Sequence, residues 1–216
     1  KGLVMAGYQG WFNAPEDGAR RGWYHYTGPD GFRPGSCTID LWPEVSEYEK
    51  LHKTEFVFED GTPAYTFSSY DASTVETHFR WMEEYGIDGV FMQRFVAEIK
   101  GKSGKRHFNK VLDSAMESAN RHSRAICIMY DLSGMHPGDE NILIADIKEL
   151  ASRHSLFDHD SNPSYLYHNG KPLVTVWGVG FDDNRKYGYK EADAIITALE
   201  DIGFAIMLGV PTQWRT

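Results

Sequence analysis

The amino-acid sequence predicts an α/β fold in which a parallel sheet is covered by helices. Two observations support this prediction. From residue 73 onward, helical and strand patterns alternate four times along the chain. The predicted strands are also apolar throughout instead of alternating between apolar and polar residues. Continuously apolar strands are buried on both faces, as they are in parallel sheets whose crossover helices cover them.

The first predicted helix spans residues 73–86. Ser73 and Glu76 have the spacing of a capping box, and Val75 and Phe79 share one helical face. The same reasoning assigns the segments that follow. They are a strand at 89–96, a helix at 107–122, a strand at 125–134, a helix at 139–154, a strand at 172–181, a helix at 189–203 and a strand at 204–210.

An earlier strand is predicted at residues 3–12, and a long aromatic-rich loop at 13–72 follows it. We treat residues 1–216 as a single domain that contains this loop. Loops of such length are usually functional, and in a barrel they lie on the face that carries the active site. The aromatic residues of the loop include Trp23, Tyr24, His25, Tyr26, Phe32, Trp42, Tyr48, Tyr65 and Tyr70.

Two arrangements suit this series of elements, a doubly wound open sheet and a closed eight-stranded barrel. A doubly wound nucleotide-binding fold would require a glycine-rich phosphate turn after the first strand. The sequence there, "GYQGWFNAPEDG", is not GxGxxG, and the chain has no Walker motif. The sequence therefore favours a TIM-type barrel, of which the chain supplies about five strands, and we expect it to be incomplete at its C-terminus.

Composition argues against several other classes of function. The net charge of −9 argues against nucleic acid or an anionic membrane as a partner. No apolar run approaches the roughly 20 residues of a membrane-spanning helix. The nine histidines form no cluster with metal-ligand spacing. Cys127 lies in an apolar run, which predicts a buried free thiol and not a disulfide with Cys37.

Each predicted strand ends in aromatic and hydrogen-bonding residues. In a parallel α/β protein, the residues past the carboxyl ends of the strands line the functional site. Aromatic rings pack on the apolar faces of sugar rings, while amide, guanidinium and carboxylate groups bind the hydroxyls. This pattern predicts a carbohydrate ligand. The predicted ligand-binding residues are Tyr8, Gln9, Trp11, Arg94, Tyr130, Trp177, Trp214 and Arg215.

Ordinary structural roles compete with several of these assignments. Trp177 lies within a strand and could be a core residue. Gln93 and Arg94 are consecutive, so they point to opposite faces and only one of them readily reaches a site. Arg94 could instead be buried against a carboxylate. For Tyr8 and Trp11, the competing interpretation is a glycine-driven bulge with ordinary packing.

Asp131 is the predicted catalytic residue. It ends an apolar strand, where a carboxylate is unfavourable unless it is paired or functional. Glycoside cleavage normally uses two carboxyl groups, and the other candidates are Glu98 and Asp182 or Asp183. None of them forms a close pair in the sequence. One hypothesis is that Asp131 and Glu98 are themselves the catalytic pair.

Several longer segments resemble glycoside hydrolases of families 71 and 99, most closely an uncharacterised bacterial branch of that group. The resemblance covers nearly the whole chain, and Asp131 stands near the place of a glutamate of the family. The segments are "AGYQGWFNAPEDG", "DLWPEVSEYE", "FSSYDASTVETHFRWMEEYGIDGVFMQRF", "IMYDLSG", "YLYHNGKPLVTVWGVGF" and "LGVPTQWR".

This resemblance implies a (β/α)8 barrel that is secreted, periplasmic or at the cell surface, and that acts on polysaccharide or glycan without a cofactor. Family 99 enzymes are endo-acting and retaining, with two catalytic glutamates in a Glu-x-x-Glu-Gly-Thr motif late in the barrel. The chain contains no such motif, and we expect the matching region beyond Arg215. The alternative function is a carbohydrate-binding protein without catalysis.

Overall fold

A parallel sheet is the centre of the protein, which a computed structural model describes over residues 2–214. Its strands are β1 (Met5–Tyr8), β4 (Gly89–Phe95), β5 (Ala125–Asp131), β7 (Lys171–Trp177) and β8 (Ala205–Gly209). Along the sheet they follow the order β1-β4-β5-β7-β8, and every neighbouring pair is parallel.

The strand order follows the order of the chain across this part of the sheet. A doubly wound sheet would reverse its strand order at a switch point. No reversal occurs within residues 2–214, where β1 and β8 are the two edges of the parallel series. The prediction of an α/β fold with a parallel sheet is therefore confirmed, and the described residues do not close it into a barrel.

Helices connect the parallel strands. They are α1 (Ala72–Glu84), the short α2 (Val96–Ile99), α3 (Lys102–Arg121), α4 (Glu140–Arg153) and α5 (Tyr189–Ile202). The helix predicted at 107–122 begins earlier, at Lys102. Gly104 lies in its first turn, where a β-carbon would overlap the carbonyl oxygen of Glu98. This close approach joins α3 to the turn before it. No described helix is long and apolar enough to cross a membrane.

The predicted strands at 3–12, 125–134 and 172–181 are longer than the observed ones. The extra residues turn away from the sheet at Gly10, Gly134 and Gly178, whose φ angles are +57°, +76° and +108°. Such angles belong to the left-handed region, which glycine adopts readily and which ends an extended strand. The residues after each turn therefore leave the sheet at the edge where the functional residues were predicted.

The segment 13–72 contains a β-hairpin that the sequence did not predict. Strand β2 (His52–Val57) pairs antiparallel with β3 (Pro63–Thr66). The hairpin covers an aromatic cluster in which the rings of Tyr26 and Phe56 each lie 5.0 Å from the ring of Phe32. Part of the aromatic content of this segment therefore forms its own small core. A further short strand, β6 (Tyr167–His168), pairs antiparallel with β7.

The main core lies between the sheet and the helices. Alternate residues of each strand, such as Val90 and Met92 in β4, are buried under the helix layer. The residues between them lie on the opposite face of the sheet, because side chains alternate along a strand. This alternation decides which side chains can meet at the carboxyl ends of the strands.

Candidate functional site

A row of register partners crosses the carboxyl ends of four strands on the face away from the helices. Phe95 pairs with Asp131, Asp131 with Trp177, and Trp177 with Gly209. Partners in a parallel ladder point to the same face of the sheet. The carboxylate of Asp131 therefore lies between two aromatic residues. We call Phe95, Asp131, Trp177 and Gly209 the strand-tip row.

Asp131 is buried, and its carboxylate is held by two hydrogen bonds. The side-chain amide of Gln93 donates to Oδ2 at 3.2 Å, and the backbone N–H of Ser133 donates to Oδ1 at 2.8 Å. Gln93 lies on the same face because it stands two residues before Phe95 in β4. These bonds fix the orientation of the carboxylate at the end of its strand.

Trp177 is 41% exposed, although it belongs to a central strand. Its ring lies against Gly209, where a β-carbon would overlap the indole. The ring of Phe181 also contacts Trp177, with 5.6 Å between the two ring centroids. A large aromatic ring that stays partly in solvent beside a buried carboxylate suits contact with a ligand.

The Gly209→Ala substitution is expected to displace the Trp177 ring from its place over β8. The added methyl group meets the indole, which can move because it faces solvent. We expect a small loss of stability of about 1–2 kcal/mol, at the lower end of the range for overpacking. Tryptophan fluorescence should shift, and thermal unfolding should show whether the fold persists. An unchanged emission spectrum would contradict the described placement of the ring.

Trp11 extends this aromatic surface on the side of β1. Its ring stacks on Phe95 with a centroid distance of 5.3 Å, and on His25 at 4.2 Å. His25 has a φ angle of +61°, which is uncommon for a bulky residue and is found mainly where the surrounding structure holds it. The segment 13–72 therefore reaches the strand-tip row through a stacked contact.

Glu98, in α2, is bound by two residues of the segment 13–72. Arg21 Nη2 donates to Oε2 at 2.5 Å, and the Tyr24 hydroxyl donates to Oε1 at 2.6 Å. The Arg21 guanidinium lies 3.6 Å from the centre of the Tyr24 ring. Burial and the bond to Glu98 raise the pKa of Tyr24, and burial lowers the pKa of His25. Both oxygens of Glu98 are thus engaged in holding the segment in place.

A cavity of about 710 Å³ lies beside this contact. Its volume falls in the range of pockets that bind small molecules. Aromatic rings form most of its wall, together with one guanidinium group and two threonines. The residues that line it are Trp11, Phe12, Arg21, Trp23, Tyr24, His25, Thr27 and Thr38. We call it the loop cavity.

Three of the predicted ligand-binding residues lie on the other face of the sheet. Tyr8 hydrogen-bonds through its hydroxyl to His78 Nδ1 at 2.8 Å, in the helix layer. Arg94 is buried against Asp146, at 2.5 and 2.7 Å, and Tyr130 donates to the same carboxylate at 2.7 Å. The structure does not bring these side chains to Asp131. They alternate with the residues that do face it.

The remaining predicted residues are distributed along the strand ends. Gln9 is exposed directly after β1, and Trp214 is exposed after β8. Arg215 lies outside the described residues. Asp182 lines a smaller cavity of about 320 Å³ beyond Trp177, whereas Asp183 pairs with Arg185 at 2.7 Å. Trp11 and Trp177 are therefore the predicted aromatic residues that meet the strand-tip row.

The sequence reasoning missed Phe95 and Arg21, and it named Tyr24 and His25 only among the aromatic residues of the long loop, without assigning their contacts. For Phe95 a signal was available, because it follows Gln93 by two residues and must share its face. For the other three no local signal exists, since Tyr24 and Glu98 are 74 residues apart. Among residues 2–214, no group of three or more His, Cys, Asp or Glu side chains could hold a metal ion.

Comparison with known proteins gives a likeness in fold. No protein-family model and no curated protein matches the chain. The chain is similar to the structure of the GH99 endo-α-mannosidase from Bacteroides thetaiotaomicron, with a TM-score of 0.51 and 14% identity over 80% of this chain and 44% of that one. A second structure of that enzyme, in complex with bis-tris propane, gives a TM-score of 0.46 and 17% identity over 83% and 41%.

The first of these comparisons confirms, at the level of the fold, the resemblance that the sequence motifs indicate. The first solved structure shares its fold with four fifths of this chain at an identity too low to compare individual residues. The chain spans less than half of the length of either solved protein. The fold is therefore shared, and the chemistry must be argued from the residues of this chain.

Proposed function

We propose that this chain is part of a glycoside hydrolase barrel and that it binds a glycan along the strand-tip row. One observation carries the proposal, the alignment of Phe95, Asp131 and Trp177 on one face at the carboxyl ends of parallel strands. A sugar ring has apolar faces and a rim of hydroxyls, so it suits a surface of aromatic rings around a fixed acceptor.

The dimensions of the row favour a chain of sugars over a single ring. Neighbouring strands are about 4.8 Å apart, so the four residues from Phe95 to Gly209 span about 14 Å. Trp11 extends the aromatic surface further through its contact with Phe95. The fold likeness to an endo-α-mannosidase supports a glycan substrate, and an α-mannoside is the first to test.

Asp131 binds the substrate in this proposal. Its two hydrogen-bond donors leave lone pairs on each oxygen, which can accept from sugar hydroxyls. Hydrolysis requires a second carboxyl group. Glu98 already binds Arg21 and Tyr24. We therefore propose that the acid and nucleophile belong to a part of the barrel beyond residue 216, and that the complete enzyme is endo-acting, retaining and secreted or periplasmic.

The Trp177→Ala substitution is expected to weaken the binding of neutral oligosaccharides by about 30-fold, or about 2 kcal/mol, as for other central aromatic contacts. Isothermal titration calorimetry with manno-, gluco- and xylo-oligosaccharides checks this result. The Asp131→Asn substitution keeps the shape of the side chain and should also weaken binding. Unchanged affinity in both variants would exclude the strand-tip row as the site.

A carbohydrate-binding protein without catalysis is the second candidate. It is favoured by the engagement of both oxygens of Glu98, the residue that the sequence offered as the catalytic partner of Asp131. Hydrolysis of α-mannan, α-glucan or xylan oligosaccharides by the complete protein distinguishes the two functions. Binding without product release would favour the second one.

A further inference from the structure

We propose that the loop cavity is a second sugar subsite, which takes an uncharged pyranose unit next to the units bound at the strand-tip row. The inference rests on the proposed function, because it extends the same glycan site. In this proposal the segment 13–72 binds the ligand directly and makes affinity depend on the length of the ligand. Four observations carry it.

The first observation is the continuity between the cavity and the strand-tip row. Trp11 lines the loop cavity and also stacks on Phe95, the register partner of Asp131. A ligand that leaves the strand-tip row on the side of β1 therefore meets the wall of the cavity. The two places form one surface, so a single oligosaccharide can occupy both.

The second observation is the presence of unsatisfied donors in the cavity wall. Trp11 Nε1 and Arg21 Nη1 are buried, and neither has a hydrogen-bond partner within residues 2–214. The Arg21 side chain is only 6% exposed. A buried polar group without a partner is unfavourable by about 1–3 kcal/mol, so each such group calls for an explanation. Hydroxyl and ring oxygens of a sugar are acceptors that can satisfy both.

The third observation is the balance of charge around the cavity. Among the residues that line the cavity, Arg21 carries a positive charge. The carboxylate of Glu98, 2.5 Å from the Arg21 guanidinium, balances that charge. His25 is neutral near pH 7, because burial lowers its pKa. An acidic sugar would therefore bring an anion to a place without a free cation. The wall suits a neutral sugar.

The fourth observation is the conformation that holds His25. Both Arg20 and His25 adopt left-handed φ angles, +60° and +61°, and such angles carry a cost for residues other than glycine. The Thr38 hydroxyl donates to the carbonyl oxygen of His25 at 2.6 Å and fixes this turn. The turn holds the imidazole against the Trp11 ring, at the junction of the cavity and the strand-tip row.

The experiment measures how affinity depends on the length of the ligand. The complete protein is titrated calorimetrically with neutral manno-, gluco- and xylo-oligosaccharides of one to four units. We use His25→Asn, because asparagine tolerates the left-handed angle and lacks the ring. Thr27→Tyr fills the cavity from an exposed residue. Tyr85→Ala, at a residue 77% exposed after α1, is the matched control for loss of an aromatic side chain.

In the unaltered protein, affinity should rise by about tenfold when the ligand gains the unit that reaches the loop cavity, which is the size of one added ring contact. His25→Asn and Thr27→Tyr should each abolish this rise and leave monosaccharide binding unchanged. Tyr85→Ala should change neither quantity. Trp177→Ala should weaken the binding of ligands of every length. Thermal unfolding of each variant confirms that it is folded.

The outcomes separate this inference from the proposed function. If oligosaccharides bind and the rise persists in both cavity variants, the second subsite is wrong and the strand-tip site stands. Tighter binding of oligogalacturonides than of neutral oligosaccharides would overturn the assignment to an uncharged sugar. If no oligosaccharide binds to the complete, unaltered protein, the proposed function fails and the subsite fails with it.

Discussion

Replacing Asp146 with alanine is expected to lower the free energy of unfolding by about 3–5 kcal/mol. Asp146 accepts hydrogen bonds from Arg94 Nε and Nη2 at 2.5 and 2.7 Å, and the side chains of this pair are 2% and 3% exposed. Tyr130 donates to the same carboxylate. The substitution therefore leaves a buried cation and a buried hydroxyl without their acceptor. Urea denaturation at neutral pH measures the loss.

Two comparisons test the cause of this loss. The double substitution Arg94→Met and Asp146→Leu removes both charges, so it should recover much of the stability that the single substitution loses. Glu47→Ala breaks an exposed ion pair with Arg80 and should leave stability nearly unchanged, because water screens the attraction between exposed charges. Equal losses for Asp146→Ala and Glu47→Ala would contradict the burial of the Arg94 pair.

Lowering the pH from 7 to 5 is expected to destabilise the protein by roughly 4 kcal/mol through His78 and His107. Burial lowers the pKa of each imidazole to about 4, against an ordinary value of 6.5. The unfolded chain therefore binds more protons than the folded chain between these values. The stability from each group is complete above pH 6.5 and is lost as the pH falls toward 4.

The contacts of His107 explain why it resists protonation. Its Nε2 donates to the carbonyl oxygen of Gly10 at 2.8 Å, and its Nδ1 accepts from the Asn13 amide at 3.0 Å. A proton on Nδ1 would face that donor. His78 lies between the hydroxyls of Tyr8 and Tyr48, at 2.8 and 2.6 Å, where a positive charge would lose its hydration.

Chemical denaturation from pH 5 to 7, with NMR titration of the imidazole signals, checks this expectation. His122 acts in the opposite direction. Burial opposes its protonation, but hydrogen bonds to Glu83 and Glu76 raise its pKa, so its contribution is present below pH 6.5 and is lost as the pH rises above its folded pKa. An imidazole of His107 that titrates near 6.5, or stability that stays constant between pH 7 and 5, would contradict the prediction.

Local patterns were sufficient for the framework of the fold. The long helices and the parallel strands occur where the periodicity predicts them, with ends that move by a few residues. The ends move because Gly10 and Gly178 take left-handed angles that close the strand earlier. Two of the residues that the sequence singled out at the strand ends, Asp131 and Trp177, lie beside each other.

The sequence did not determine the composition of the candidate site. It treated Arg94 and Tyr130 as members of the group that contains Asp131, although they face the helices and bind Asp146. A strand has a side-chain period of two, so a difference of one residue moves a side chain to the other face. The alternation within β4 allowed only one of Gln93 and Arg94 at the site, and the register placed Gln93 there.

The sequence by itself therefore determined the α/β class, the parallel sheet and the apolar strands that end in polar and aromatic residues. These features follow from local periodicity and from the burial that each segment requires. Only the tertiary structure decided that Arg21, Tyr24 and His25 reach Glu98 and Trp11, and that much of the segment 13–72 packs on itself. Contacts between residues so distant in the chain depend on the packing of the whole fold, which no local pattern encodes.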